Sequence, residues 1–245
     1  MILLISPAKT MKEGAGGARS LPVFQKDADM LVHILSRMSY EEAKAFWKTN
    51  DALTEENRHR LSRWKTAEQA AAVLSYDGIQ YRRIGADTMD SAEQAYLTGH
   101  LRILSGLYGV LRPFDGIAPY RLEMKSSFPG ASFKNLYDFW GRRIYEALRQ
   151  EEDVFLNLAS TEYSRAVLPF ASSRDRFISV DFLTRKNGAL RQQSTYAKMG
   201  RGEMVRFLAE EGAETAEEAK RFSSLGFSFS PEASGEDRFV FIREG

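Results

Sequence analysis

The stretch that most restricts this chain is ILLIS, an unbroken apolar run over residues 2–5 with Pro7 just beyond it. Leucines and β-branched isoleucines in a row read as a buried strand that ends in a loop. A buried strand needs partners, and the later runs DVFLNLAS, RFISVDFL and FVFIRE supply further strand candidates. Between them the pattern turns helical. Leu31, Ile34, Leu35 and Met38 fall at helical spacing, and Ser39, Thr54 and Thr66 stand as N-caps before acidic first turns. MDSAEQAYLTGHLRILSGLYGVL reads as a helix capped near Asp90 or Ser91 and ended by its glycines, and GALRQQSTYAKMGRGEMVRFLAEEG as a strand leading into a helix. Strands and helices alternate without an internal repeat or low-complexity tract. The prediction is an α/β fold, a single mixed-sheet domain over 1–245 with surrounding helices. Residues from about 27 to 75 could form a helical subdomain within it.

Composition then narrows the chemistry. Cysteine is absent, which removes disulfides, thiolate metal sites and a cysteine nucleophile. His33, His59 and His100 lie far apart among helix-forming residues, so neither a zinc site nor a histidine triad is expected, and no metal or other cofactor is predicted. No apolar run reaches the roughly 20 residues of a membrane span, and the start lacks the basic segment and cleavage pattern of a secretion signal. A cytoplasmic chain, monomeric and with no membrane partner, is the expectation. Its 34 Lys and Arg side chains against 33 Asp and Glu give a net charge of +1, so only the distribution of charge can point to an anionic partner.

That distribution favours loops. In LSGLYGV, Gly106 and Gly109 have the spacing of the turn in a helix-hairpin-helix, where glycines expose backbone amides to a phosphate oxygen. The competing reading is a helix C-cap followed by a turn. Pro113 leaves little room for a second helix, so the element is at most helix-hairpin-helix-like. Arg112, Arg121 and Lys125 follow, the electrostatic footprint of a nucleic-acid backbone site, although single arginines on loops are usually just solvated. Tyr108 and Tyr120 could stack on bases or fill the core, and Glu123 is as apt to partner Arg121 as to act as a base. SPAKT places Ser6, Lys9 and Thr10 just after the first strand, without the glycines of a nucleotide triphosphate loop. NLASTEY places Asn157, Ser160, Glu162 and Tyr163 after another strand, and YAKMGRGEMVR sets Lys198, Arg201 and Arg206 around Gly200 and Gly202. Together these loops predict a polar cleft. It is basic overall, because Lys9, Arg112, Arg121, Lys198, Arg201 and Arg206 outnumber Glu123, Glu162 and Glu203, and it suits a phosphate-bearing ligand.

At these same residues the chain resembles the YaaA family of bacterial peroxide-stress proteins. The resemblance rests on ILLISPAKTM, LRILSGLYGVLRPFDGIAPYRLEM, LYDFWG, NLASTEY and YAKMGRGEMVRF, in family order across nearly the whole chain. It implies a cytoplasmic protein that limits free iron, and so Fenton damage to DNA, during hydrogen peroxide stress. It also implies an α/β fold with a positively charged cleft, a helix-hairpin-helix-like element, and duplex DNA as partner. Carried over, the DNA-binding residues are Ser105, Gly106, Tyr108, Gly109 and Arg112 in the hairpin, with Lys9, Arg121, Lys198, Arg201 and Arg206 in the cleft loops. Ser6, Thr10, Tyr120, Glu123, Asn157, Ser160 and Glu162 are the other polar candidates, and none receives a catalytic role by transfer.

Binding should follow the DNA backbone with little sequence preference, since no helix carries a run of base-reading side chains. The rival is an enzyme acting on a nucleobase or a small phosphorylated compound, with Glu123 or Glu162 as acid or base and Lys9 steadying charge. Direct iron storage is the weakest reading, because only scattered carboxylates remain as ligands.

Overall fold

The ILLI strand lies inside a sheet. A computed structural model, describing residues 1–128 and 130–245, contains an eight-stranded mixed sheet. Its order is Ser228–Phe229, Arg238–Glu244, Arg176–Lys186, Val154–Asn157, Ile2–Ile5, Leu101–Ser105 and Gly109–Leu111, with Ala189–Arg191 folded back onto Arg176–Lys186. The neighbouring strands from Arg238–Glu244 to Leu101–Ser105 are all parallel, and the remaining three join antiparallel. Ile2, Leu3, Leu4 and Ile5 are at most 1% exposed. A strand in a parallel sheet is buried on both faces, which is why the run shows no polar alternation. Withdrawing each of these side chains from water contributes about 1.5–3 kcal/mol.

Strand order decides where a ligand can sit. Ile2–Ile5 lies between Leu101–Ser105, the next parallel strand along the chain, and Val154–Asn157, the one after that. The chain therefore crosses first to one side of the opening strand and then to the other. Such a reversal opens a crevice beyond the carboxyl ends of the two strands at the switch, here after Ile5 and after Asn157.

Three helices, Gln25–Ser36, Tyr40–Trp47 and Asp51–Ser62, form a layer over most of the stretch 27–75 expected to be helical, whose end instead carries a two-residue strand, Ala70–Ala71, and a single helical turn, Ala72–Ser75. Ser39 caps the second through a full capping box with Glu42. Thr54 and Thr66 do not cap. Asn50 accepts from the Leu53 amide instead, Thr54 lies inside that helix and donates back to the Asn50 carbonyl, and Thr66 donates to the Arg63 carbonyl beyond its end. Leu31, Leu35 and Trp47 of this layer share one contiguous apolar core with the sheet.

Two expectations are corrected. The helix capped by Asp90 ends at His100, and LRILSGLYGVL is a β-hairpin in which Ile103 pairs with Leu111 and Ser105 with Gly109. In its turn the Tyr108 amide donates to Ser105 Oγ, and Gly109 follows at φ +69, where an added Cβ would be strained and would meet Trp140 at 3.0 Å. A three-residue turn followed by a left-handed glycine is hairpin geometry, so the segment from Ser105 to Arg112 is strand, turn and strand in place of the helix-hairpin-helix-like element. The stretch around Gly200 and Gly202, grouped with the cleft loops, lies inside one helix, Ser194–Glu210, that follows the strand Ala189–Arg191 as the strand-into-helix reading expects. Its glycines allow close approach, since a Cβ on Gly202 would lie 2.3 Å from the Gln80 carbonyl oxygen of the helix Ile79–Ile84.

Candidate functional site

The loops leaving the two switch-point strands are tied to each other. The Leu158 amide donates to the Leu4 carbonyl at 2.8 Å, the Ser160 amide to Ser6 Oγ at 2.8 Å, and Ser6 Oγ to Ser160 Oγ at 3.2 Å. Gln80 Nε2 and the Tyr81 hydroxyl both donate to the Ser6 carbonyl, at 3.3 and 2.9 Å. Asn157, buried behind them, accepts from the Ala159 amide at 3.1 Å. The small polar residues of SPAKT and NLASTEY thus fasten the crevice floor.

Above this floor, Glu123 gathers cations. Lys9 Nζ lies 2.9 Å from Oε1, Arg121 Nη2 lies 3.8 Å from the same oxygen, and Lys125 Nζ lies 3.3 Å from Oε2. Lys125 also donates its amide to Glu162 Oε1 at 3.2 Å, and its ammonium stands 4.0 Å from Oε2 of that residue. Segments 6–9, 121–125 and 160–162 are thereby linked in a ring. Burial alone would raise the Glu123 carboxyl. The Lys9 hydrogen bond and charge, followed by those of Lys125, more than offset it and hold the group below the usual carboxylate range. Lys125 is pushed up in return, chiefly by its bond to Glu123. Glu123 is therefore ionised at neutral pH, and its Oε2, shielded from water, faces the Lys125 ammonium.

A cleft of about 1080 Å³ opens over the ring. Lys9, Arg121, Glu123 and Lys125 line it together with Ile34, Met38, Phe46 and Trp47 of the helical layer, and Arg37 and Lys48 add two more cations. Neither Arg37 nor Lys48 is in an ion pair among the described residues. Five cations thus meet only two carboxylates, Glu42 and Glu123, and Glu42 is already committed to the Ser39 cap. Trp47 Nε1 donates to the Arg121 carbonyl at 2.9 Å, which fixes the helical wall to the segment bearing the cations. Lys48 ends its helix in the left-handed region, at φ 52.

Of the residues singled out in the sequence, Lys9, Arg121 and Glu123 meet in this cleft, with Glu162, Ser6 and Ser160 in the ring beside it. The hairpin residues Ser105, Gly106, Tyr108 and Gly109 are buried and do not line it. The Tyr108 hydroxyl accepts from the Ala118 amide. The Tyr120 hydroxyl bonds those of Tyr76 and Ser105, each at 2.7 Å, and burial pushes its phenol up to about 12. Thr10 and Arg112 are exposed but outside the cleft lining. Lys198, Arg201 and Arg206 share the helix Ser194–Glu210 and are also outside it. Arg206 bonds Glu210 and the carbonyls of Ile84 and Gly85, and burial lowers the Arg201 guanidinium. His33 lines the cleft, whereas His100 bonds the Met1 carbonyl and stacks on Tyr96. Sequence reasoning missed Arg37, Phe46, Trp47 and Lys48. The signal for the last three was an aromatic pair beside a lysine at the end of a short helix, and for Arg37 a single charge just past the helix Gln25–Ser36.

These features define a class: an open α/β protein with a parallel core and a cationic cleft beside its switch point. Residues 1–233 match the family described as peroxide stress protein YaaA. A UPF0246 protein of Lactobacillus delbrueckii subsp. bulgaricus is 46% identical over 245 residues, covering 100% of both chains. Others from Lachnoclostridium phytofermentans and Agathobacter rectalis are 40% and 38% identical, over at least 96% of each chain. The chain belongs to this peroxide-stress family. No helix among the described residues is long and apolar enough to cross a membrane.

Proposed function

We propose that the cleft holds the phosphate backbone of duplex DNA, and that the protein acts in the cytoplasm to protect that DNA during peroxide stress. The observation that carries this reading is the convergence of Lys9, Arg121 and Lys125 on one ionised carboxylate. Three cations sharing Glu123, with Glu162 4.0 Å from Lys125 as a second anion, have charge left for phosphate oxygens. The Lys9 and Lys125 side chains are 62% and 65% exposed, so their ammonium groups stay within a ligand's reach. Limitation of free iron is read as a cellular effect of this protein rather than storage in the cleft. Cations dominate its lining, and among the described residues no three His, Asp or Glu side chains gather as metal ligands do.

Titration of a labelled duplex tests the proposal. Lys9→Met with Arg121→Met should weaken binding at least ~10-fold and lower the salt slope by roughly 2. Affinity that is indifferent to salt, or unchanged in the double variant, sinks it.

A second reading, acid–base chemistry on a nucleobase, is favoured by one feature: among the described residues, Glu123 is the carboxylate of the cleft lining that is not committed to a helix cap. Because the cations hold this carboxyl down, its role would be that of a base and not an acid. Turnover of damaged duplexes that disappears in Glu123→Gln would support it, and the absence of any product would remove it.

A further inference from the structure

We infer that the apolar wall of the cleft is a seat for one nucleobase, so that the ligand is a nucleotide unit, ring and phosphate together. This rests on the reading of the cleft as a phosphate site and assigns a task to the lining which that reading leaves idle. Ile34, Met38 and Phe46 are each only part-buried and line the same cavity as Lys9, Arg121 and Lys125. A site for phosphate alone gains nothing from such a lining, because apolar surface in contact with water is unfavourable until something covers it.

The wall is also braced. The Phe46 ring meets Phe128 edge-on at 5.1 Å and Trp47 edge-on at 6.2 Å. Trp47 in turn is hydrogen-bonded to the Arg121 carbonyl, so wall and cation keep a fixed separation. A held aromatic ring beside fixed cations matches a ligand that carries a flat π-face and an anion on one short frame. Two sources offer that frame: a free mononucleotide, and an unpaired nucleotide within DNA. A base inside a perfect duplex is stacked on both faces and cannot reach the wall without being extruded.

Fluorescence titration with deoxyadenosine monophosphate, a fully paired duplex, and the same duplex with one unpaired adenosine separates these cases. The unpaired-base duplex should bind roughly 10-fold tighter than the paired one. Phe46→Ala should erase that preference, read as the ratio of the two duplex affinities. Phe46→Leu keeps the bulk that packs on Phe128 and Trp47, and should reduce the preference several-fold in a folded protein, as judged by circular dichroism. Salt-sensitive binding of both duplexes with equal affinity overturns the base seat and leaves the backbone reading standing. A preference unchanged in folded Phe46→Leu overturns the seat as well. Binding of the mononucleotide with no binding of either duplex supports the seat, assigns it to a free nucleotide, and overturns the DNA reading.

Discussion

Conformation and position pull in opposite directions at Lys48. Its left-handed backbone is the place for glycine at a helix end, and a side chain there costs about 1–2 kcal/mol, partly offset by the greater freedom glycine loses on folding. What the lysine provides is an unpaired ammonium on the cleft lining. Lys48→Gly should therefore raise stability by about 0.5–1 kcal/mol in urea unfolding while weakening duplex binding; equal or tighter binding would show that the charge has no part in the cleft. Glu123 allows a prediction with a definite sign. Its folded-state carboxyl lies below the ordinary value of 4.5, so its contribution to stability is complete above that value and is lost as pH falls through the folded value. Lys9→Met removes the foremost of the stabilising partners. It should cost about 0.5–1 kcal/mol near neutral pH, and the difference from wild type should vanish in acid, as read from urea midpoints across pH.

Helix Ser194–Glu210 positions the site from a distance. Its Gly202 lets the helix Ile79–Ile84 approach, and that helix presents Gln80 and Tyr81 to the Ser6 carbonyl. Gly202→Ala would place a Cβ 2.3 Å from the Gln80 oxygen and 2.7 Å from Arg83 Cβ. Overpacking of this kind should destabilise the protein by about 1–3 kcal/mol, and the thermal midpoint should drop together with DNA affinity. How legible such elements were depended on where their information lies. ILLI, the Ser39 and Asp90 caps and the later strands were legible because the cause is local: an apolar run, or a capping side chain three residues from its amide. The hairpin at Leu101 was not. Leu, Ile, Gly and Val suit both a helix end and a tight β-turn, and pairing with Ile2–Ile5, remote in sequence, decided between them. Lys198, Arg201 and Arg206 were misplaced for a related reason: two glycines that let the helix approach its neighbours, Gly200 at Phe182 of the sheet and Gly202 at Gln80 of another helix, look like a turn when those partners are unseen.

At the scale of the molecule, the switch point brings distant loops to one edge, and the cleft's charge belongs to their sum. If the five lining cations engage three to five phosphates, log affinity against log salt should fall with a slope of roughly −3 to −5. A slope near zero in fluorescence anisotropy would mean that the cleft does not meet the backbone. Lys9 and Glu123 were legible as charged residues near turns, and the sequence placed Lys9 after the opening strand; that helix Tyr40–Trp47 supplies the facing wall was not legible, because packing between layers leaves no periodic trace. The central place of Ile2–Ile5 also bears on how the protein is made. At synthesis rates of ~5–20 residues per second, this strand leaves the ribosome roughly 5–20 s before Leu101, its first sheet partner, exists. Through that interval a fully apolar strand has no sheet partner, and the second side of the crevice waits longer still, for Val154–Asn157. The nascent chain is thus a natural client for a chaperone that shields short apolar segments, and a stalled ribosome between these two points would display an aggregation-prone fragment with no ligand site at all.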